Sequence, residues 1–282
     1  MPGSGAVTYV DGINTAVLPS NDRGLHYGDG LFETLALIAQ IPQHWPLHFA
    51  RLQEGARRLG IVCPEPALWL HDIAAASAGN NQRLVVKLIL TRGSGGRGYT
   101  PPADATPRRI VQLSPWPTWP GVVPELGVRV ITCHTPLGRN RVLAGLKHLN
   151  RLEQVLASAE VAAAGADEGL MFDDGDRLIE GTRTNVFLVI DGVLCTPSLD
   201  EAGVRGVMRD VVIRIAGNLS LPVSERTLSR ATLAQASEMF LCNSLIGIWP
   251  VREIAGPAPR HYTGFPVARR LIEALRDAGC AP

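Results

Sequence analysis

Lysine is nearly absent from this chain. Of its 27 basic residues only Lys87 and Lys147 are lysines, and the other 25 are arginines. Codon bias explains such scarcity, but not why lysine remains at these two positions. Unlike arginine, lysine is a primary amine that has an adjustable pKa and condenses with carbonyl compounds to a Schiff base. Because Lys147 lies in the largely apolar segment 143–150, we interpret it as a candidate reactive amine in an active site.

Other shortages exclude whole classes of protein. A net charge of +1 argues against nucleic acid or an anionic membrane as a partner. The five cysteines form no C-x-x-C pair and no H-E-x-x-H occurs, so we expect no metal site. No apolar run approaches the roughly 18 residues of a membrane span. The N-terminal residues lack the pattern of a signal peptide, and we expect a cytoplasmic protein.

The fold class follows from the order of the predicted elements. Predicted strands run in hairpins with Asp-Gly turns and alternate with helices, which favours an α+β fold. We expect strands at 7–10, 13–18, 31–41, 84–91, 109–113, 128–133, 168–173, 177–180, 185–190, 193–196 and 238–242. We expect helices at 47–59, 67–78, 150–164, 204–216, 229–236 and 266–278, the first two closed by glycines and the third capped by Asn150.

A proline-rich segment divides the chain. Four prolines within residues 114–124 prevent regular structure there. We therefore expect a small N-terminal domain at 1–114, a linker at 115–124 and a larger C-terminal domain at 125–282.

One motif points to a nucleotide but lacks the context it needs. Residues 93–98 match the dinucleotide fingerprint G-x-G-x-x-G, which requires a helix immediately afterwards. Paired prolines at 101–102 prevent that helix. The loop is interpreted instead as presenting Arg97 and Tyr99 to a cleft.

If Lys147 is a Schiff-base lysine, pyridoxal phosphate is the commonest reason, and this cofactor needs further groups. A carboxylate must face the pyridine nitrogen, and Glu180 is the candidate. Helix amides or an arginine must hold the phosphate; segment 203–208, Arg51 and the pair Asn243-Ser244 are candidates. Taken singly, each of these also fits an ordinary structural role.

Five segments in order resemble the class IV aminotransferase family, the fold-type IV pyridoxal-phosphate enzymes. They are 22–34, 48–52, 145–150, 179–187 and 203–208, within a likeness that covers about residues 8–250. Two more selective stretches, 91–99 and 137–154, are similar to the carbon–oxygen lyase branch that makes 4-aminobenzoate for folate.

The resemblance implies a role for each candidate residue. Lys147 carries pyridoxal phosphate covalently and acts as the catalytic base, and Glu180 pairs with the pyridine nitrogen. The phosphate is held by Arg51, by the amides of Val207 and Met208, and by Asn243 and Ser244. The substrate is contacted by Arg97, which binds an acidic group, by Arg205 at a second carboxylate, and by His26, Tyr27 and Tyr99.

The resemblance also implies an architecture and an activity. The fold is a small N-terminal α/β domain with a larger pseudo-barrel domain, assembled as a homodimer. The reaction converts 4-amino-4-deoxychorismate, a small dicarboxylate, to 4-aminobenzoate and pyruvate. A D-amino-acid or branched-chain aminotransferase on the same scaffold is the alternative, and a non-enzymatic anion-binding relative is a third. Lys87, in a predicted strand, is interpreted as lying outside the covalent chemistry.

Overall fold

The computed structural model describes residues 7–119 and 126–281. The chain divides into two compact units. The first consists of Met1–Thr118 and Leu146–Asn150, and the second of Trp119–Gly145 and Arg151–Ala281. Residues 120–124 of the predicted linker lie outside the described residues, and the sequence-based domain boundaries stay a prediction.

The first unit is built on an antiparallel sheet of six strands. Its elements are β1 (Val7–Val10), β2 (Ile13–Asn14), α1 (Arg23–Tyr27), β3 (Gly30–Ile38), β4 (Ile41–Pro42), α2 (Trp45–Leu59), α3 (Pro66–Ala76), β5 (Leu84–Thr91) and β6 (Arg108–Pro115). The strand order is β2-β1-β6-β5-β3-β4. Helix α2 packs on β3, and α3 packs on β6 and β1, so the long central strands are covered by helices.

The second unit holds a sheet of ten strands. Its elements are β7 (Val128–Thr132), α4 (Leu152–Ala163), β8 (Glu168–Phe172), β9 (Arg177–Gly181), β10 (Asn185–Ile190), β11 (Val193–Pro197), α5 (Val207–Asn218), β12 (Val223–Arg226), β13 (Leu228–Ser229), α6 (Arg230–Leu233), β14 (Glu238–Asn243), β15 (Gly247–Ala255), β16 (Arg260–His261) and α7 (Pro266–Asp277). The order is β12-β11-β10-β14-β15-β7-β8-β9-β13, with β16 beside β15.

This larger sheet is mixed and strongly curled. The pairs β7–β8, β7–β15 and β11–β12 are parallel and the others antiparallel. Strand β9, near one end of the order, also contacts β10 and β11, near the other end. Such curling gives the pseudo-barrel expected from the sequence. One antiparallel and one mixed sheet, each with packed helices, confirm the α+β class.

Stacked aromatic rings and aliphatic side chains fill the interior of the second unit. Phe187 and Phe240, on the paired strands β10 and β14, stack with ring centroids 5.0 Å apart. Both are fully buried, as are Leu170 and Met171 on β8. Helices α5 and α7 pack on each other and on β14. The amino terminus of α5 is thereby held in place.

Several sequence-based boundaries are wrong, each for a local reason. The strand expected at 31–41 breaks at Ala39 and Gln40, which adopt positive φ without the glycine or asparagine that signals such a turn. The second helix ends at Ala76 and is capped by Ser77, not by a glycine; the hydroxyl of Ser77 donates to a backbone carbonyl one turn earlier. Strand β15 was missed because it contains Pro250, a residue that argues against a central strand.

The expected cap Asn150 is also wrong. Helix α4 begins at Leu152 with Arg151 as its N-cap. The Asn150 side chain instead donates to the carbonyl of Gly28 at 3.2 Å. Within the described residues, no helix is both long and apolar enough to cross a membrane.

Candidate active site

The backbone of Lys147 is fixed along an edge of β3 in the first unit. The N–H of Phe32 donates to the carbonyl of Lys147 at 2.9 Å, and the N–H of Leu149 donates to the carbonyl of Gly30 at 3.0 Å. Leu31 and His148 pair between these bonds. The segment therefore behaves as a short added strand, which holds Lys147 in a defined place without a helix.

Both lysines of the chain contact the same aromatic ring. The Nζ atom of Lys147 lies 4.3 Å from the centroid of the Phe32 ring, and that of Lys87 lies 5.6 Å from it. Lys87 is exposed in the middle of β5, where it pairs with Thr34. The expectation that Lys87 is a strand residue is confirmed, whereas its nearness to the ring that Lys147 contacts was not foreseen.

Arg51 belongs to a buried charged cluster with Glu33 and His48. The Nε and Nη2 atoms of Arg51 donate to Glu33 at 2.8 and 2.6 Å, and Nδ1 of His48 lies 2.6 Å from the same carboxylate. Burial acts to raise the pKa of Glu33, but the charge and hydrogen bonds of Arg51, with a hydrogen bond from His48, lower it to about 2. Burial also lowers the pKa of His48. Arg51 is therefore no plain surface charge.

The loop residues proposed to contact substrate gather in one place in the first unit. The rings of Tyr27 and Tyr99 lie 5.4 Å apart, and those of His26 and Tyr27 5.7 Å apart. The guanidinium of Arg23 lies over Tyr27 and donates to the carbonyl of Tyr99 at 2.8 Å. Tyr99 is 84% exposed, and Arg97 is exposed on the same loop. This aromatic and cationic loop surface is open to a ligand.

Glu180 is a buried carboxylate at the end of β9 in the second unit. Its Oε2 atom accepts the N–H of Val204 at 2.7 Å, and Oε1 accepts from the side chain of Gln154 at 3.3 Å. Asn185 donates to the carbonyl of Val204 at 2.9 Å. The carboxylate is thus held from two sides, by the loop before α5 and by a residue of α4.

The amino terminus of α5 is a tight backbone turn. Gly206 is the N-cap, and the first helical residues, Val207 and Met208, are buried. A Cβ atom at Gly206 would lie 2.0 Å from Oδ1 of Asn185, so a larger residue would displace the side chain that donates to the carbonyl of Val204. Because the first amides of a helix lack intrahelical partners, this turn offers N–H donors to an anion.

Asn243 is the last residue of β14, one residue later than the expected end of that strand, and Ser244 follows it. The Oδ1 atom of Asn243 accepts the N–H groups of Leu245 and Ile246 at 2.8 and 2.9 Å. Its Nδ2 atom donates to the carbonyl of Arg183 at 3.2 Å. The Asn243 side chain therefore builds the turn between β14 and β15 and places Ser244 within it.

Four residues to which the sequence assigned no role hold the proposed ligands in place. They are Glu33, His48, Gln154 and Asn185. All four lie inside the segments that carry the family resemblance, which was the available signal. Within the described ranges no group of three or more His, Cys, Asp and Glu side chains is placed to hold a metal ion.

Each unit, taken by itself, carries groups that suit a cofactor with an aldehyde and a phosphate. The first unit holds an amine beside an aromatic ring and a fixed arginine. The second unit holds a buried carboxylate and a helix amino terminus. A Schiff base, a paired ring nitrogen and a bound phosphate are the interactions that such groups make.

Comparison with known proteins gives consistent relatives. The model of the family described as Amino-transferase class IV matches residues 30–254. The structure of 4-amino-4-deoxychorismate lyase from Pseudomonas aeruginosa is 47% identical, with a TM-score of 0.91, and the match covers 97% of this chain and 100% of that chain. The aminodeoxychorismate lyase of Vibrio harveyi is 33% identical over 93% of this chain and 95% of the relative. The branched-chain amino acid aminotransferase of Escherichia coli is 25% identical, with a TM-score of 0.86, over 98% of this chain and 96% of that chain.

Proposed function

Because this chain belongs to the class IV aminotransferase family, we propose that it is a pyridoxal-phosphate-dependent lyase of folate biosynthesis. It converts 4-amino-4-deoxychorismate to 4-aminobenzoate and pyruvate. The observation that carries this proposal is the 47% identity to the Pseudomonas aeruginosa lyase across 97% of the chain. Relatives named as aminotransferases share less of the sequence, at 32% identity or below.

The residues present fit pyridoxal phosphate. Lys147 is the amine that binds the aldehyde, and Glu180 is the carboxylate that pairs with the pyridine nitrogen. The hydrogen bond from the N–H of Val204 to Oε2 of Glu180 orients the carboxylate for that pairing. The phosphate is held by Arg51 and by the amides at the start of α5, where Gly206 gives the backbone a close approach.

When bound, pyridoxal phosphate supplies an electron sink for negative charge at the carbon beside the substrate nitrogen. The Nζ atom of Lys147 is the base that removes the proton from this carbon. Breaking the carbon–oxygen bond of the enolpyruvyl ether then makes the ring aromatic and releases the enolate of pyruvate, which takes up a proton at its methylene carbon to give pyruvate. Glu180 keeps the proton on the pyridine nitrogen throughout, so the sink retains its charge.

The substrate carries two carboxylates, and the chain offers two exposed arginines for them. Arg97 lies on the loop that carries Tyr99, and Arg205 lies just before α5. His26, Tyr27 and Tyr99 provide a wall of aromatic rings for the cyclohexadiene. Arginine binds carboxylates through paired N–H donors, which fixes orientation as well as charge.

Product analysis tests this proposal. The purified chain is supplied with 4-amino-4-deoxychorismate and no keto acid. We expect 4-aminobenzoate and pyruvate in equal amounts, because no amino group leaves the substrate. Absence of both products from a preparation that binds the cofactor refutes the lyase proposal. Absence of cofactor binding, seen as a colourless protein, refutes an enzyme of this family altogether.

An aminotransferase is the second candidate, supported by the likeness to the Escherichia coli branched-chain enzyme. It would use Lys147 and Glu180 in the same way but needs a second substrate to accept the amino group. The distinguishing assay supplies a branched-chain L-amino acid or a D-amino acid with 2-oxoglutarate. Formation of the corresponding keto acid faster than lyase turnover favours this candidate.

A homodimer in the cytoplasm completes the proposal. On α4, Leu152, Val155 and Leu156 share one face and are 77%, 60% and 58% exposed. An apolar face of this kind commonly marks a protein interface. We expect a dimer by sedimentation and its dissociation on Val155→Glu. A monomeric parent chain contradicts this part of the proposal.

A further inference from the structure

The cluster of Glu33, His48 and Arg51 is organised around one carboxylate. Glu33 lies on β3, while His48 and Arg51 lie on α2, which packs on that strand. The carboxylate receives hydrogen bonds from Nε and Nη2 of Arg51 and from His48. Two parallel bonds to one edge of a guanidinium fix the plane of the group. The direction of the remaining nitrogen, Nη1, is thereby set.

Accessibility differs sharply within this cluster. The side chains of His48 and Glu33 are 0% and 1% exposed, whereas that of Arg51 is 15% exposed. Glu33 is therefore closed to any substrate or cofactor. Arg51 is the one member of the three that an external anion can reach.

The charge states of Glu33 and His48 agree with this difference in exposure. The pKa of Glu33 is lowered to about 2, so the carboxylate stays ionised at neutral pH. The pKa of His48 is lowered by burial, so its ring is neutral there and donates its Nδ1–H to the carboxylate. One negative charge thus faces one positive charge, and the histidine supplies orientation without adding charge.

We propose that Glu33 is a positioning residue, which aims the guanidinium of Arg51 at the phosphate of the cofactor, and that His48 fixes Glu33. The inference rests on the proposed function, in which Arg51 binds that phosphate. Glu33 acts only through Arg51 and touches neither cofactor nor substrate.

Binding to the full-length apoprotein tests the inference. Affinities for pyridoxal phosphate and for pyridoxal, which lacks the phosphate, are measured by quenching of tryptophan fluorescence. We compare the parent chain with Glu33→Gln, Arg51→Gln and the double variant. The matched control is Glu54→Gln. This change removes an exposed carboxylate on α2, the helix that carries Arg51, and so breaks its ion pair with Arg57.

Glu33→Gln should weaken binding of pyridoxal phosphate by about 10- to 100-fold, the range found when a partner that orients a metal ligand is removed. Binding of pyridoxal should change little. The double variant should be no weaker than Arg51→Gln, because both changes remove one function. Glu54→Gln should match the parent with both ligands.

If Glu33 had only a structural role, Glu33→Gln would weaken the binding of pyridoxal phosphate and of pyridoxal equally, and that result overturns the inference. An unchanged affinity in Glu33→Gln, with a selective loss in Arg51→Gln, also overturns it while leaving the proposed function intact. No selective loss in Arg51→Gln refutes the phosphate role of Arg51 itself. If Glu33→Gln fails to fold, Glu33→Asp keeps the charge but withdraws the carboxylate, and the same selective loss is expected.

Discussion

Gly203 is a position where a single added methyl group should destabilise the second unit. It precedes α5 with φ of +82°. In this left-handed region the backbone of a residue with a Cβ atom is strained by about 1–2 kcal/mol. That Cβ would also lie 2.7 Å from Cγ2 of Ile179, 2.9 Å from Cδ2 of Leu199 and 3.3 Å from Oε2 of Glu180. Overpacking of this kind costs about 1–3 kcal/mol. Gly203→Ala should therefore lower the free energy of unfolding by about 2–5 kcal/mol.

Gly217→Ala is the matched control in the same unit. Gly217 lies within α5, and a Cβ atom there meets nothing within 4 Å. Alanine in a helix should raise the free energy of unfolding by about 0.5–1 kcal/mol. Calorimetry should thus show shifts of opposite sign, with a fall of roughly 5–15 °C for Gly203→Ala. Gly203→Ala should also weaken cofactor binding through Glu180. Equal unfolding temperatures for the two variants would refute the reasoning.

Three further predictions follow from the site and the core. Lys147→Arg keeps the charge but should abolish both the activity and the labelling of the chain by the cofactor on borohydride reduction. Lys87→Arg should retain the label in a peptide map. Labelling of Lys147→Arg would contradict the assignment of Lys147 as the amine that binds the cofactor. Burial raises the pKa of Cys133 and of Cys242 to about 12. Mass spectrometry should therefore find both thiols alkylated at pH 8 only after the protein is unfolded. Rapid alkylation of either thiol in the native protein would contradict this prediction. The lowered pKa of Glu33 contributes stability of about 3 kcal/mol, present above pH about 4.5 and lost as pH falls toward 2. Urea unfolding should show the advantage over Glu33→Gln shrinking in that window, and a constant difference is the contrary result.

Much of the architecture could be predicted because local patterns agree with the tertiary structure. Strand β5 occupies the expected residues 84–91, and α2 ends at Leu59 with Gly60 as its cap. Long apolar strands and glycine-capped amphipathic helices are decided mainly by nearby residues. Strand β15 could not be foreseen, since it tolerates Pro250 through pairing with β14 and β7.

The candidate site, like the fold, could be predicted only where nearby residues in the sequence carry the signal. The shortage of lysine drew attention to Lys147, and the motifs around it indicated Glu180 and Arg51. Neither signal contains the distance from Glu33 to Arg51, because strand β3 and helix α2 meet only through packing. Asn150 likewise reads as a helix cap until its partner Gly28, more than a hundred residues away, is known.

The central claim is that the amine of Lys147 drives a lyase reaction. Proton NMR in deuterium oxide follows 4-amino-4-deoxychorismate with the purified chain and no keto acid. We expect equal amounts of 4-aminobenzoate and pyruvate, with deuterium entering the pyruvate methyl group, and no conversion by Lys147→Arg. No conversion by the parent chain, or undiminished conversion by Lys147→Arg, would contradict the claim.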